Sequence, residues 1–189
     1  MLRKFIYLCA TENIFTAKKI VVAVSGGADS LALADLLSNS KRRFNLEICI
    51  AHFEHGLRGK VSVDDANFVE DFAKSLNIKF FCESGDVKNF SAENKLSIET
   101  AARQLRYNFL SKVCKENNFD AIALAHHAND QAETILMRLL RGATSAGLAG
   151  MKFVTFSEDF GLLIRPLLRF KKSELENYCL SRNLIPRVD

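Results

Sequence analysis

Residues 20–30 read IVVAVSGGADS, a β-branched run followed at once by a loop of serines, glycines and one aspartate. A continuous apolar run of this kind is typical of a strand that is covered on both faces. After the loop, the spacing of Leu31, Ala34 and Leu37 predicts a helix. The stretch therefore predicts a strand, a tight turn and a helix in immediate succession.

The rest of the chain repeats this alternation of strand and helix. Short apolar runs predict strands at residues 20–24, 46–51, 78–82, 121–125 and 162–164. Strands that alternate with helices of 10–15 residues form βαβ units, and right-handed crossovers place the helices on both faces of the sheet. We therefore expect an α/β fold with a doubly wound, mainly parallel five-stranded sheet, formed by residues 1–189 as one domain.

Three of the helices are predicted from a capping residue followed by an apolar stripe. Ser62, Ser97 and Asn129 are the expected caps, since short polar side chains accept hydrogen bonds from first-turn N–H groups. After the third cap, one stripe is expected to face inward: Ala132, Ile135, Leu136, Leu139 and Leu140.

The composition is that of an ordinary globular chain, with 48% hydrophobic and 25% charged residues among 189. It excludes collagen-like and disordered classes. The apolar runs are too short to span a bilayer, and residues 1–10 lack a signal-peptide pattern, so we expect no membrane and a cytoplasmic location. Five cysteines without a Cys-x-x-Cys pair favour structural thiols over a zinc site or sulfur relay.

The positive charge is concentrated in one part of the chain. Residues 138–189 hold nine of the 26 Lys and Arg but only five of the 22 Asp and Glu, which accounts for the net charge of +4. Such an excess is compatible with contact with a polyanion, but charge alone favours the simpler interpretation of a solvated surface.

The loop carries the sharpest chemical signal. Gly26 and Gly27 allow a tight turn that exposes N–H groups at a helix N-terminus, where anions bind. Ser25 and Ser30 add hydroxyl groups, and Asp29 is a carboxylate of the kind that Mg²⁺ binds beside phosphate. The loop lacks the lysine of a Walker A motif and the pattern of a dinucleotide turn.

Two further motifs, HFEHGLR at residues 52–58 and HHANDQAET at 126–134, follow the second and fourth predicted strands. The carboxyl ends of parallel strands share one sheet edge, where ligands of open α/β folds bind. Asp130 and Glu133 share a helix face and suit an ammonium group or Mg²⁺, or simply complement the helix dipole. Earlier in the sequence, Arg103 and Arg106 are each expected to face either phosphate or solvent.

The loop resembles the pyrophosphate-binding loop of N-type ATP pyrophosphatases, and the motifs together resemble tRNA(Ile)-lysidine synthetases. The matching stretches are 25–30, 52–58, 99–107, 125–151 and 165–168. The chain departs from that pattern in having Glu54 where Asp or Asn is usual and Asn129 where a second Asp is common.

The resemblance implies an adenine nucleotide alpha hydrolase-like fold and a specific ligase reaction. The wobble cytidine of an isoleucine tRNA with a CAU anticodon is adenylated at its C2 oxygen, with release of pyrophosphate, and free L-lysine then displaces AMP to form lysidine. Relatives usually continue beyond this point, so the chain is expected to be the N-terminal catalytic part of a longer protein. Residues 142–189 would form its more basic, tRNA-facing end, with Arg165 and Arg169 among the candidates, and a homodimer is a possible assembly.

The resemblance also assigns roles to residues. ATP is expected on the loop and His52, with Mg²⁺ at Asp29, and Asp29, Asp130 and Glu133 are the expected catalytic residues. The nucleotide contacts are Ser25, Gly26, Gly27, Ala28, Asp29, Ser30 and His52. The substrate contacts are Arg58, Arg103, Arg106, His127, Asp130, Glu133, Arg138 and Arg141.

Other classes of protein have the same loop and are alternative interpretations. A tRNA 2-thiolation enzyme often has paired cysteines, and an amidotransferase-type synthetase needs a glutaminase segment; this sequence has neither. A non-catalytic ATP-binding module remains a further alternative, and magnesium-dependent release of pyrophosphate would separate it from the enzymes.

Overall fold

A computed structural model describes residues 1–56, 60–143 and 149–187, without the side chains of residues 60–63. The predicted contact Arg58 lies outside the described residues. In chain order the elements are α1 (Leu2–Thr11), β1 (Lys19–Ala23), α2 (Ala28–Phe44), β2 (Glu47–Glu54), α3 (Lys60–Ser75), β3 (Lys79–Ser84), α4 (Val87–Asn94), α5 (Ile98–Glu116), β4 (Ala121–Ala123), α6 (Ala128–Leu140), β5 (Val154–Ser157), β6 (Gly161–Ile164) and α7 (Lys172–Ser181).

The strands form one sheet in the order β3-β2-β1-β4-β6-β5. All neighbouring pairs are parallel except β5 and β6, which form an antiparallel hairpin at the edge. The predicted α/β class and mainly parallel sheet are confirmed, but the count of five strands is wrong. The additional strand, β5, is half exposed, and its sequence VTFS lacks the continuous apolar run from which the other strands were predicted.

The direction of winding reverses between β1 and β4. From β1 the chain crosses through α2 to β2 and through α3 to β3, and from β3 it returns through α4 and α5 to β4 on the other side of β1. Reversal points of this kind open a crevice at the carboxyl ends of the two strands. The loops that begin at Val24 and Leu124 therefore face each other across that crevice.

Apolar side chains pack on both faces of the sheet. Ile20 and Val22 lie in a cluster with α1, α2, α3 and α7, whereas Val21, which points the other way, lies in a second cluster with α5. The helix α1 was not predicted, although its residues Phe5 and Leu8 are buried in the first cluster. Helices on both faces, as predicted, exclude water from the strands.

The predicted helix caps have mixed outcomes. Ser97 does cap α5, since its hydroxyl oxygen accepts from the N–H of Thr100 at 3.1 Å. The start predicted at Ser62 is wrong, because α3 already includes Lys60. The residue that caps α6 is His127 and not Asn129.

The predicted inward stripe of α6 is wrong. Every side chain of α6 is at least partly exposed, and Leu136 and Leu140 are 57% and 75% exposed. Its spacing is that of an amphipathic helix, but the fold places this helix outside the core. No helix in the described part of the chain is long and apolar enough to cross a membrane.

Candidate active site

The loop after β1 is held by hydrogen bonds within itself. The Ser30 hydroxyl oxygen accepts from the N–H groups of Ser25 (3.2 Å) and Gly26 (3.3 Å) and donates to the carbonyl oxygen of Gly27 (2.9 Å). Gly26 has φ +100°, a conformation that glycine adopts without strain. Gly27 caps α2 with no side-chain hydrogen bond, so the first-turn N–H groups of α2 are left for an anion.

A cavity of about 310 Å³ opens beside this loop, between the ends of β1, β2 and β4 and the helix α5. Its volume suits a small ligand. One part of its wall is apolar and the other carries polar and charged groups, an arrangement that suits a base at one end and phosphates at the other. The apolar part includes Ala23, Ala51, Phe53, Leu110 and Leu124, and the polar part includes Ser25, Asp29, Ser30, His55, Arg106 and His126.

Asp29 presents a carboxylate oxygen without a partner. Its Oδ1 is buried and accepts no hydrogen bond from any described residue, while its Oδ2 lies 3.4 Å from Nε2 of His127. Burial raises the pKa of Asp29, and the charges of His127 and Lys172 act against that rise. Mg²⁺ takes one or two protein carboxylates together with phosphate oxygens, so a lone carboxylate beside an anion-binding loop fits this ion.

His127 and Asp130 bind each other at the start of α6. The N–H of His127 donates to Asp130 Oδ2 at 2.7 Å, and the N–H of Asp130 donates to His127 Nδ1 at 3.3 Å. His127 is buried and is not among the residues that line the cavity, and its expected role as a substrate contact stays a prediction. One oxygen of Asp130 is committed to this cap.

Glu133 lies one turn further along α6 and is exposed. The structure thus brings Asp29, His127 and Asp130 into one group and leaves Glu133 beside it in contact with solvent. In the described part of the chain, no group of three His, Cys, Asp or Glu residues forms a metal cluster.

Two arginines of α5 differ in how they lie. Arg106 lines the cavity, and its Nε is buried without a hydrogen-bond partner in the described ranges; burial lowers the pKa of Arg106. Arg103 is more exposed, lies over the ring of Tyr107 at 4.8 Å and donates to its hydroxyl oxygen at 3.3 Å. Of the two arginines, Arg106 is therefore the one that lines the cavity.

The second motif contributes a different histidine from the one expected. His52 is buried, and its Nδ1 donates to the carbonyl oxygen of Val24 at 2.8 Å, so it joins the ends of β1 and β2 and does not line the cavity. Phe53 and His55 do line it. Side chains alternate between the two faces along a strand, so residues 51, 53 and 55 point to the same side. Because Ala51 lines the cavity, this alternation indicates that Phe53 and His55 line it too.

Two residues of the site were missed as such. His126 lines the cavity, and burial, aided by the Arg165 guanidinium, lowers the pKa of His126 to about 4. Arg165, expected on a tRNA-facing surface, is only 8% exposed and donates to the carbonyl oxygen of Lys152 (3.2 Å) and to Thr155 Oγ1 (3.1 Å). Both lie in the loops that follow the carboxyl ends of β4 and β6, and that position is the signal that could have marked them.

The remaining arginines lie away from the cavity wall. Arg138 and Arg141 are exposed at the end of α6, where Arg138 donates to the carbonyl oxygen of Ala149. Arg169 pairs with Glu12 at 2.7 Å. These positions provide positive charge on the outside of the domain.

Comparison with known proteins agrees with this geometry. The model of the PP-loop domain family matches residues 2–189. The tRNA(Ile)-lysidine synthase of Clostridium perfringens is 43% identical over 183 residues, which are 97% of this chain and 38% of the relative. That of Thermosipho africanus is 43% identical over 189 residues, all of this chain and 43% of the relative. The chain thus spans about two fifths of the length of these relatives.

Solved structures agree on the fold. The U34-tRNA thiolase NcsA from Methanococcus maripaludis superposes with a TM-score of 0.79 at 20% identity, over 98% of this chain and 64% of that one. The NH3-dependent NAD synthetase of Campylobacter jejuni superposes with a TM-score of 0.62 at 17% identity, over 97% and 72%. At these identities the likeness shows the fold alone. The family model covers residues 2–189, and from that match we conclude that the chain belongs to the PP-loop domain family.

Proposed function

We propose that the chain is the catalytic part of a tRNA(Ile)-lysidine synthetase. This enzyme joins free L-lysine to the wobble cytidine of an isoleucine tRNA with a CAU anticodon, using ATP. One observation carries the proposal. The SGGADS loop, which leads into α2 without a side-chain cap, and the His127–Asp130 pair face each other across the crevice between β1 and β4. The relatives named for this activity support it.

The reaction has two bond exchanges. The C2 oxygen of the cytidine attacks the α-phosphate of ATP, the bond between the α- and β-phosphates breaks, and pyrophosphate leaves. The ε-amine of lysine then attacks C2 and loses a proton, the bond from C2 to that oxygen breaks, and AMP leaves. The enzyme has to hold phosphate charge, bind an ammonium group and position the base.

The two parts of the cavity wall favour one orientation of the nucleotide. Its base would lie against the apolar wall that includes Phe53 and Leu110, and its phosphates would meet the N-terminus of α2. The PP-loop family supports ATP as the nucleotide. Arg106 faces the same space and would stabilise the negative charge that builds up on the phosphates as pyrophosphate leaves. Mg²⁺ held by Asp29 would neutralise further phosphate charge.

Two acids are proposed for the amino-acid substrate. Asp130 keeps one oxygen in the helix cap, so it offers at most its other oxygen to an ammonium group. Glu133 is exposed and accepts hydrogen bonds without disturbing that cap. We therefore assign the larger part of lysine binding to Glu133.

The outer surfaces are proposed for larger partners. Arg138 and Arg141, with the basic residues of 142–189 other than Arg165, would contact the tRNA backbone. The exposed apolar face of α6 would pack against a second copy of the chain, because burying Leu136 and Leu140 removes a large apolar area from water. Residues 1–189 would form the N-terminal catalytic domain of the whole protein.

The test is the incorporation of radiolabelled lysine into a CAU-anticodon isoleucine tRNA transcript with ATP and Mg²⁺. We expect label in this transcript and none in a matched transcript whose wobble base is uridine. Glu133→Gln should raise the KM for lysine about tenfold and leave the KM for ATP within twofold, since one charged hydrogen bond is lost.

Three outcomes would contradict the proposal. Label in both transcripts would exclude the wobble cytidine as the target. Pyrophosphate release without label would exclude lysine as the nucleophile. Binding of ATP without either product would identify a nucleotide-binding module.

A further inference from the structure

We infer that His127 is a positioning residue, which holds the Asp29 carboxylate in place from the first turn of α6. The inference rests on the proposed function in taking Asp29 as the Mg²⁺ ligand. Its basis is the placement of one buried imidazole ring, only 6% exposed, between two carboxylates that belong to different elements.

The contacts of the ring determine its orientation. His127 Nδ1 accepts from the N–H of Asp130 at 3.3 Å and lies 3.1 Å from Asp130 Oδ2. Nε2 lies 3.4 Å from Oδ2 of Asp29, within ion-pair distance. The ring therefore lies between the Asp29 carboxylate and the first turn of α6 and contacts both.

Asp29 needs such a partner. Its Oδ1 is buried and finds no hydrogen-bond donor among the residues that the structure describes. The negative charges of Asp130 and Glu176 act on it unfavourably, whereas those of His127 and Lys172 act favourably. Without the ring, the carboxylate would gain freedom to rotate away from its present orientation at the edge of the cavity.

The first turn of α6, which follows His127, is held by hydrogen bonds to residues outside the helix. The N–H of Ala128 donates to the carbonyl oxygen of Phe170 at 2.8 Å, and Asn129 Oδ1 accepts from the N–H of Lys172 at 3.1 Å. These bonds anchor the first turn of α6 although the rest of the helix is exposed. A fixed ligand orientation of this kind is what partners of metal-binding side chains provide, and their loss costs about 10–100-fold in metal affinity or activity.

Substitution separates the two roles of His127. Asparagine is among the best N-cap residues, so Asn in place of His127 keeps an acceptor for the N–H of Asp130 but is too short to reach Asp29. Alanine removes both contacts. Glutamine places an amide N–H far enough out to restore a donor to Asp29, at the cost of a weaker cap.

The experiment measures metal binding directly. Mn²⁺ is titrated into the chain saturated with ATP, and free Mn²⁺ is followed by electron paramagnetic resonance for the wild type, H127N, H127A and H127Q. We expect H127N to melt within about 2 °C of the wild type, because its cap is kept, and to bind Mn²⁺ about tenfold more weakly. H127Q should recover part of that affinity despite a lower melting temperature.

The Mg²⁺ dependence of pyrophosphate release is a second measurement, and it relates metal binding to turnover. In H127N the Mg²⁺ concentration for half-maximal pyrophosphate release should rise about tenfold, while the KM for lysine changes less than twofold. Equal Mn²⁺ affinity in H127N and the wild type would overturn the inference, whether or not the chain modifies tRNA. Weaker Mn²⁺ binding in H127A alone would also overturn it, since the residue would then act as a helix cap only.

Discussion

The helices α2 and α6 begin at the carboxyl ends of neighbouring strands and face each other across the same crevice, yet they differ completely in burial. Nine residues of α2 are buried, and α6 has none. Even the polar Asp35 of α2 is enclosed, where it accepts from the Tyr178 hydroxyl (2.5 Å) and from Arg182 (3.3 Å). The α2 helix is part of the core, whereas α6 is held mainly by the contacts of its first turn.

The two helices look alike as sequence patterns, since both carry apolar residues at helical spacing. Such a pattern indicates that one face of a helix will be covered, but it does not identify what covers it. A helix of 13 residues is marginally stable in water by itself, so the exposed face of α6 marks a surface that is suited to binding a partner.

The largest expected effect compares one leucine from each helix. Leu36 in α2 is fully buried and Leu136 in α6 is 57% exposed. Leu36→Ala should lower the free energy of unfolding by about 3 kcal/mol because it leaves a cavity in the core, whereas Leu136→Ala should lower it by less than about 0.5 kcal/mol. Urea denaturation of both variants measures the difference.

A large loss from Leu136→Ala would contradict this prediction for the isolated chain. Sedimentation velocity on the same variant then tests the cause. If the wild type is dimeric and the variant monomeric, α6 is covered by a second copy.

The next effect concerns the turn that leads into α2. Gly26 has φ +100°, so Gly26→Ala should cost about 1–2 kcal/mol of stability and should also lower pyrophosphate release at least tenfold, because the loop shifts. Gly161→Ala is the matched control: Gly161 is the first residue of β6 and has φ +80°, with no described atom within 4 Å of an added Cβ.

Thermal unfolding and pyrophosphate release are measured on both glycine variants. We expect similar losses of stability and a loss of activity in Gly26→Ala alone. Equal activity in the two would show that the loop conformation is not needed for the reaction.

The smallest expected effect concerns His126, which is half-buried and lies two residues before the start of α6. Arg165, Arg103 and Arg106 oppose a charge on His126, Asp130 favours one, and burial lowers the pKa of His126 from 6.5 to about 4. Between these two pH values the unfolded chain binds a proton that the folded chain does not, so stability falls as the pH drops from 6.5 towards 4.

His126→Gln should reduce that loss by an amount on the order of 1 kcal/mol once solvent screening is allowed for. The measurement is the melting temperature of both proteins at pH 4.5 and 7. An identical pH dependence would show that His126 takes up a proton in the folded state as readily as in the unfolded one.

Much of the fold was predictable because it depends on local patterns. The β-branched run at residues 20–24 and the capping residue Ser97 act on their immediate neighbours, and the structure agrees with both. The edge strand β5 was not predictable in this way, since its side chains are half exposed and its pairing with β6 depends on the turn between them. The same holds for α1, whose burial depends on contacts with residues far along the chain.

The sequence by itself determined that a glycine- and serine-rich turn lies between a buried strand and a helix, and that three motifs meet at one sheet edge. Only the tertiary structure decided which side chains of those motifs face the cavity. His52 turns away while His55 lines it, Arg165 is buried, and His127 lies between two carboxylates. The physical reason is that spacing along the chain determines the face of an element, whereas burial and charge at a site are set by the elements that pack against that face.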